Sequence, residues 1–333
     1  MERISRSILS EAALAGIIQA EYGLTEIAAV LFWRTGIAGN DVYEILADGS
    51  KYLMKIYFHK VDPVQVAASI TLMMIVKKHG LPVPAVMLNK NADSVIHIDF
   101  PEGRRLGVLF EFIEGIEPDM ADEADAFQIG TLLSNLYQAF DTIEEKLPLR
   151  SIGHHYLVQN AIDQLSIYLP NEKEKIGYLS NMGKELWARL DGTLENAQLS
   201  YGLCHGDFHT GNMKKDKLGH IHLFDFDACG YGYRLFDIGV YANDTWKPTT
   251  REELAADRKA LDLCSQGYTY QGGVTGAEVE RFYSILGLRH LELLGLVLRN
   301  CTILEGRHWI AGNFEDTCSW FKQWVSLITK ESD

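Results

Sequence analysis

The apolar residues of this 333-residue chain change their period once, and that change limits the fold more than any single motif does. Up to about residue 113 they come in short β-rich runs. "DVYEILADGSKYLMKIYF" (41–58) is two such runs around an Asp-Gly pair, a strong hairpin signal. The run "TEIAAVLFWRTGIAGN" precedes it, and "LPVPAVML", "SVIHIDF" and "RRLGVLFEFIEG" supply further strand material, the last two joined by the turn "PEGRR". One helical pattern interrupts them. "DPVQVAASITLMMIVKKHG" carries Asp62 as N-cap, Pro63 at the first helical position, apolar Val66, Ile70, Met73 and Val76, and Gly80 as a stop. From Asp122 onward the apolar residues recur every three or four positions, through "DEADAFQIGTLLSNLYQAF" to "GAEVERFYSILGLRHLELLGLVLRN". Only residues 201–230 break this regime.

These patterns predict an α+β chain of two lobes. An antiparallel-sheet lobe with one main helix covers residues 1–113, and a larger, mostly helical lobe covers 114–333. The hinge falls at about 110–118, where Gly115 and Pro118 break the chain. The N-terminal "MERISRSILSEAALAGIIQAEYG" mixes charges with a modest apolar run and reads as an amphipathic helix, not a leader. No apolar run approaches the ~18 residues that span a bilayer, so no membrane partner is expected. Net charge is −14, the opposite of a nucleic-acid footprint. The five cysteines form no C-x-x-C pair, which fits a reducing, cytoplasmic setting better than a disulfide framework.

The chemistry concentrates in "YGLCHGDFHTGN" (201–212), which places His205, Asp207, His209 and Asn212 within eight residues, and in "HLFDFDACG", whose Asp225 lies thirteen positions past Asn212. Read as residues alone, the cluster is open to three interpretations. His205 and His209, with His220 and His222 nearby, make a zinc hydrolase site. Asp207, Asn212 and Asp225 make a proton acceptor and a magnesium site. Or the stretch is a polar turn. The second has a physical basis in spacing. An Asp opening a loop can meet a hydroxyl, an Asn five residues on can turn its carbonyl to a hard cation, and a following strand can bring a carboxylate to the same ion.

"HGDFHTGN" followed by "LFDFD" resembles the aminoglycoside phosphotransferase and choline kinase superfamily, whose fold is protein-kinase-like and whose loop reads H-G-D-x-x-x-x-N before a strand with I-D-F/W-D/E. The likeness runs through nearly the whole chain in order. It implies ATP or GTP as phosphoryl donor with Mg2+, Asp207 as the base or orienter of an alcohol, and Asn212 and Asp225 as metal ligands. It implies Lys55 in "YLMKIYF" on the phosphates, Asn40 in the nucleotide-covering hairpin "GIAGNDVYEIL", and Glu111, Phe112 and Ile113 in the hinge that meets adenine. His205, His209 and Asp227 would support the site, and Asp237 in "GYRLFDIGVY" would brace the catalytic loop. "IGTLLSNLY" resembles the G-x-x-L-A-x-L-H helix, with Tyr137 in place of the usual His. One departure stands out. The family's small-lobe helix usually carries a Glu that pairs with the lysine, whereas here Gln65 or Ser69 takes that place.

The resemblance implies a small-molecule alcohol as acceptor, of the antibiotic type, or else homoserine, choline or a sugar alcohol for a metabolic kinase. The missing Glu also admits a nucleotide-binding pseudokinase. Asp163, Glu278, Glu280, Glu292, Glu315 and Asp316 in the helical part would suit a cationic acceptor or simply face solvent. Trp246, Trp309, Trp320 and Trp324 would cage a quaternary ammonium or fill the core. Arg289 and Glu292 are the polar exceptions in a leucine-rich helix. The chain would act as a monomer or homodimer.

Overall fold

In the computed structural model, the described residues are 4, 6–36, 38–191, 200–243, 247–300 and 303–329. Helix α1 (Glu11–Tyr22) is followed by strands β1 (Ile27–Thr35), β2 (Asp41–Ala47) and β3 (Ser50–Ile56), helix α2 (Pro63–Lys78), and strands β4 (Ile96–Phe100) and β5 (Gly103–Glu111). The five strands form one antiparallel sheet in the order β1-β2-β3-β5-β4. Asp48 and Gly49 join β2 to β3 with φ of 50° and 73°. Two successive positive φ values give the turn whose twist matches the flanking strands. Asp62 caps α2 by accepting the Val64 N–H at 2.9 Å, with Pro63 at the first position.

Register decides which face of this sheet does what. Tyr43, Met54 and Leu109 are paired across β2, β3 and β5 and point to α1, packing with Leu14 and Ile18. The alternate row, Val42, Lys55 and Val108, points the other way, as does the row Leu31, Glu44, Leu53 and Phe110. Lys55 therefore shares a face with apolar Val42, Leu53, Val108 and Phe110, and with Glu44 further along β2. A fully buried Arg105 on β5 fixes the end of β3. It donates to Asp41 at 2.8 Å and to the carbonyls of Ile56 and Tyr57.

The stretch "LPVPAVML", expected as a strand, contributes only an isolated bridge between Val86 and Phe110. Pro82 and Pro84 lack the N–H that a ladder requires. The segment after β5 is pinned to the second half of the chain by a two-way backbone pair between Ile116 and Lys215, at 3.1 and 2.8 Å.

From Glu123 the chain is mainly helical: α3 (Glu123–Asp141), then β6 (Arg150–Ile152), α4 (Asn160–Tyr168), α5 (Lys173–Asp191), β7 (Tyr201–Cys204), β8 (Met213–Lys215), β9 (Ile221–Leu223), β10 (Gly230–Tyr233), α6 (Leu235–Tyr241), α7 (Arg251–Gly267), α8 (Gly276–Asn300) and α9 (Ile303–Thr329). A π-helical turn, His155–Gln159, leads into α4. The strands make a hairpin, β8–β9, and a small sheet ordered β6-β10-β7. Helix α8 packs against α4, α5, α6 and α9. Trp320 and Trp324 are stacked 5.6 Å apart in the core and do not form a cage; Trp309 is partly buried against the same core. Trp246, Cys301 and the side chain of Glu280 lie outside the described residues. Cys204, Cys229, Cys264 and Cys318 are free and buried. No described helix is long and apolar enough to cross a membrane.

Helices α3 and α7 approach so closely at Gly130 that a Cβ there would lie 2.0 Å from the Cys264 carbonyl oxygen. Gly130→Ala is therefore expected to lower stability by about 1–3 kcal/mol through overpacking. Gly177→Ala in α5, where a Cβ meets nothing within 4 Å, should raise it by roughly 0.5–1 kcal/mol. Chemical denaturation of both variants tests the pair, and equal effects would sink the close-packing account.

Candidate active site

The loop after β7 takes its shape from one buried carboxylate. Asp237, near the start of α6, accepts the backbone N–H of His205 and of Gly206, both at 2.7 Å. Burial pushes its pKa up, while the two N–H groups and the nearby His205 ring oppose that shift. The Tyr137 hydroxyl, where the resemblance expects a His, lies 2.9 Å from the same carboxylate and 2.8 Å from the Arg234 carbonyl. Gly206 has φ of +80°, and a Cβ on it would lie 2.3 Å from the Ala228 carbonyl oxygen. The loop is thus pressed against the turn that follows Asp225.

His205 is fully buried edge-on against Phe226, with ring centroids 4.8 Å apart, and neither ring nitrogen has a hydrogen-bond partner. Burial lowers its pKa, and the ring packs in the core beside the loop. The His209 Nδ1 accepts the Gly211 N–H at 3.1 Å, and its Nε2 stands 3.6 Å from Asp207. His220 and His222 turn instead to Asp216 at the tip of the β8–β9 hairpin, at 3.3 and 3.1 Å. The four histidines do not converge. Among the described residues, no group of three or more His, Cys, Asp or Glu is arranged to hold a metal.

Asp207 and Asn212 do meet. The Asn212 side-chain amide donates to both the backbone oxygen and Oδ2 of Asp207, each at 2.9 Å. Its nitrogen is committed there, which leaves Oδ1 as the group to offer a cation. The Asn212 backbone oxygen accepts the Phe224 N–H at 3.0 Å, so the β8–β9 hairpin sets Asn212 beside the chain entering Asp225. Asp225 itself has φ 66° and ψ 67°. A non-glycine residue in that region is strained, and such strain clusters at functional sites. A carbonyl oxygen and a carboxylate are hard donors suited to Mg2+.

Lys55 answers the question raised by the missing Glu. Its Nζ lies 2.8 Å from Asp225 and 2.7 Å from Asp227. Burial acts to lower its pKa, but the two carboxylates carry it above the usual lysine value. Asp227 shows the converse balance. Burial pushes its carboxyl up, opposed by Lys55 and by the Tyr57 hydroxyl at 3.0 Å. The Asn40 amide is engaged at both ends, donating to Asp227 and accepting the Phe58 N–H, each at 2.9 Å. Neither α2 residue at the Glu position reaches Lys55. The Ser69 hydroxyl bonds within the helix to the Val66 oxygen. Gln65 donates to the Cys229 oxygen at 2.9 Å and accepts the Arg150 N–H at 2.8 Å.

In the expected hinge, the Glu111 N–H donates to the Ala85 oxygen, and its carboxylate accepts the Ala85 N–H at 2.9 Å and lies 3.7 Å from the Lys77 ammonium. Phe112 N–H faces the Lys51 oxygen at 3.4 Å, and Ile113 is partly buried. Sequence reasoning passed over several contributors. Tyr57 and Arg150 hold Asp227, the latter by donating to its backbone oxygen at 2.9 Å. Arg289, noted only as an exception in its helix, donates to Asp207 Oδ1. Burial acts to raise the Asp207 pKa, but Arg289 and the two histidines hold it well below the usual carboxylate range. Arg289 also pairs with Glu292 at 2.5 Å, and Glu292 is buried.

Asp237→Ala would leave two buried N–H donors without acceptors. It is expected to reduce unfolding free energy by roughly 2–5 kcal/mol, measured by urea titration. A loss under about 1 kcal/mol would mean that the loop keeps its shape unaided.

The chain is similar to several known proteins. The phosphotransferase enzyme family matches residues 35–271. The amicoumacin kinase of Bacillus subtilis (strain 168) is 23% identical over 269 residues, covering 78% of this chain and 77% of that protein. Among solved structures, an amicoumacin kinase in complex with AMP-PNP, Ca2+ and Ami superposes with TM-score 0.69 at 23% identity, over 93% of this chain and 94% of the other. A microcompartment-associated aminopropanol kinase superposes with TM-score 0.69 at 16% identity, over 92% and 98%. With a match across more than two thirds of its length and a fold of the same kind, the chain belongs to the phosphotransferase enzyme family.

Proposed function

We propose that this phosphotransferase moves the γ-phosphoryl group of ATP to a hydroxyl of a small amino alcohol. The observation that carries the reading is the pairing of Asp207 with Asn212 and of Lys55 with Asp225, the two pairs tied by the backbone bond from Phe224 to Asn212, since phosphoryl transfer relies on positioning and charge neutralisation more than on covalent help. The Lys55 face, through its apolar residues Leu31, Val42, Leu53 and Phe110, receives the base and ribose. Backbone groups at 111–113 meet the adenine edge. Lys55 neutralises phosphate charge. Asp207 accepts a hydrogen bond from the acceptor hydroxyl and aims its oxygen in line. Asn212 and Asp225 would hold Mg2+, which when bound supplies charge neutralisation between the phosphates.

Residues 114–333 form the acceptor-binding lobe in this reading. The relatives support an amino-bearing acceptor, since aminopropanol is an amino alcohol and amicoumacin kinase is an antibiotic-type relative. They leave the antibiotic and the metabolic versions both standing. The pseudokinase reading loses its motive, because two carboxylates organise Lys55 without a helix Glu. Arg289 and Glu292 balance each other, so neither is a spare charge waiting for a ligand.

A coupled ADP-release screen over amino alcohols, aminoglycosides, peptide antibiotics and neutral polyols is expected to show stimulation by the amino-bearing compounds. Neutral polyols alone stimulating release would overturn the acceptor class. Asp207→Asn should reduce the stimulated rate by roughly 10²–10⁴-fold. Chelation should abolish activity, with Mg2+ and not Zn2+ restoring it; restoration by zinc alone would favour the hydrolase reading.

A further inference from the structure

Neither Gln65 nor Ser69 of helix α2 bonds to Lys55, and the polar contact Gln65 makes instead leads to Asp207. Gln65 holds the backbone of Arg150 at the start of β6. The Arg150 guanidinium donates to the Asp227 carbonyl and, at 3.0 Å, to the Tyr156 hydroxyl, and it lies 5.3 Å over the same ring. The Tyr156 hydroxyl donates to Glu292 at 3.0 Å. Glu292 accepts from Arg289, and Arg289 donates to Asp207 Oδ1. Tyr156 stands in the π-helical turn, a local irregularity that tends to mark functional positions.

Gln65, Arg289 and Glu292 are all buried. Assembling a buried guanidinium between two carboxylates is costly, and apolar residues of similar volume would hold α8 to the loop at least as well. The arrangement does one thing that apolar packing cannot. Asp207 has two oxygens: Asn212 restrains Oδ2, and Arg289 restrains Oδ1. Each oxygen keeps a lone pair, so an acceptor hydroxyl can still be met. Without Arg289 the carboxylate is restrained from one side only and is free to rotate toward the cation beside Asn212.

We propose that Arg289 is a positioning residue for Asp207, held in place by the Glu292–Tyr156–Arg150 chain that Gln65 anchors to α2. This rests on the reading of Asp207 as the group that meets the acceptor hydroxyl. Tyr156→Phe removes one hydroxyl from the chain and keeps the ring, and Arg289→Lys keeps the charge but cannot bridge Glu292 and Asp207 in the same way.

The test measures ADP release from Mg-ATP with water as the only acceptor, in the full chain and in Y156F, R289K, the double variant and D207N. The same proteins are followed by ¹⁵N NMR of arginine side chains, in which R289K identifies the Arg289 signal. Y156F and R289K are each expected to lower kcat roughly tenfold, with KM for ATP changed less than about twofold, and the double variant no further. The Arg289 guanidinium should rotate slowly in the native protein and measurably faster in Y156F, which keeps both carboxylate partners but loosens Glu292. Unchanged kcat in both single variants, multiplicative losses in the double variant, or unchanged guanidinium rotation in Y156F would each overturn the proposal. A D207N variant as fast as the native enzyme would instead remove the underlying reading of Asp207.

Discussion

Two short hydrogen bonds into the Asp237 carboxylate, from the N–H groups of His205 and Gly206, govern the geometry of this site. They bend the chain directly before Asp207. The direction in which Asp207 leaves the loop then follows, as does the meeting with Asn212 five residues on. Tyr137 on α3 steadies the same carboxylate from behind. The loop is therefore referenced to the rigid helical core and not to its own exposed residues. In the proposed reaction, this suits a group that must be placed within a fraction of an ångström.

Asp207, Asn212 and Asp225 could be read from the sequence because they lie close in the chain and their spacing carries a geometric meaning. The β2–β3 hairpin and the capped helix α2 were legible for the same reason, since turn and cap chemistry are local. The proline-rich stretch before β4 has a strand-like composition, but the donors missing at Pro82 and Pro84 keep it out of the ladder. Arg289 resisted assignment for a different reason. It is separated from Asp207 by 82 positions, and nothing local to α8 says which loop its guanidinium reaches. The buried Arg105–Asp41 pair, 64 positions apart, was invisible on the same grounds.

The absent helix Glu shows how a departure from a family pattern can be compensated without leaving a gap. A buried lysine needs a counter-charge, and the chain supplies two from the segment 225–227. The Glu position is then free, and Gln65 uses it to clamp backbone at Arg150 and Cys229. The contact between α2 and the rest of the site becomes a tie to main chain instead of a pair of opposite charges.

The placement of Lys55 also bears on the order in which ligands arrive. Its ammonium is a resident monovalent cation lodged on the carboxylate that is assigned to the divalent ion. Metal entering alone must evict that ammonium from Asp225 and leave it with Asp227 as its remaining carboxylate partner. Metal arriving with a polyphosphate brings the replacement anion along. In the proposed site, metal and nucleotide are thus each other's positive effectors, a linkage that by reciprocity acts equally in both directions. The molecule would take up its two cofactors as one complex by an exchange of ions, with no moving lid needed to enforce the pairing.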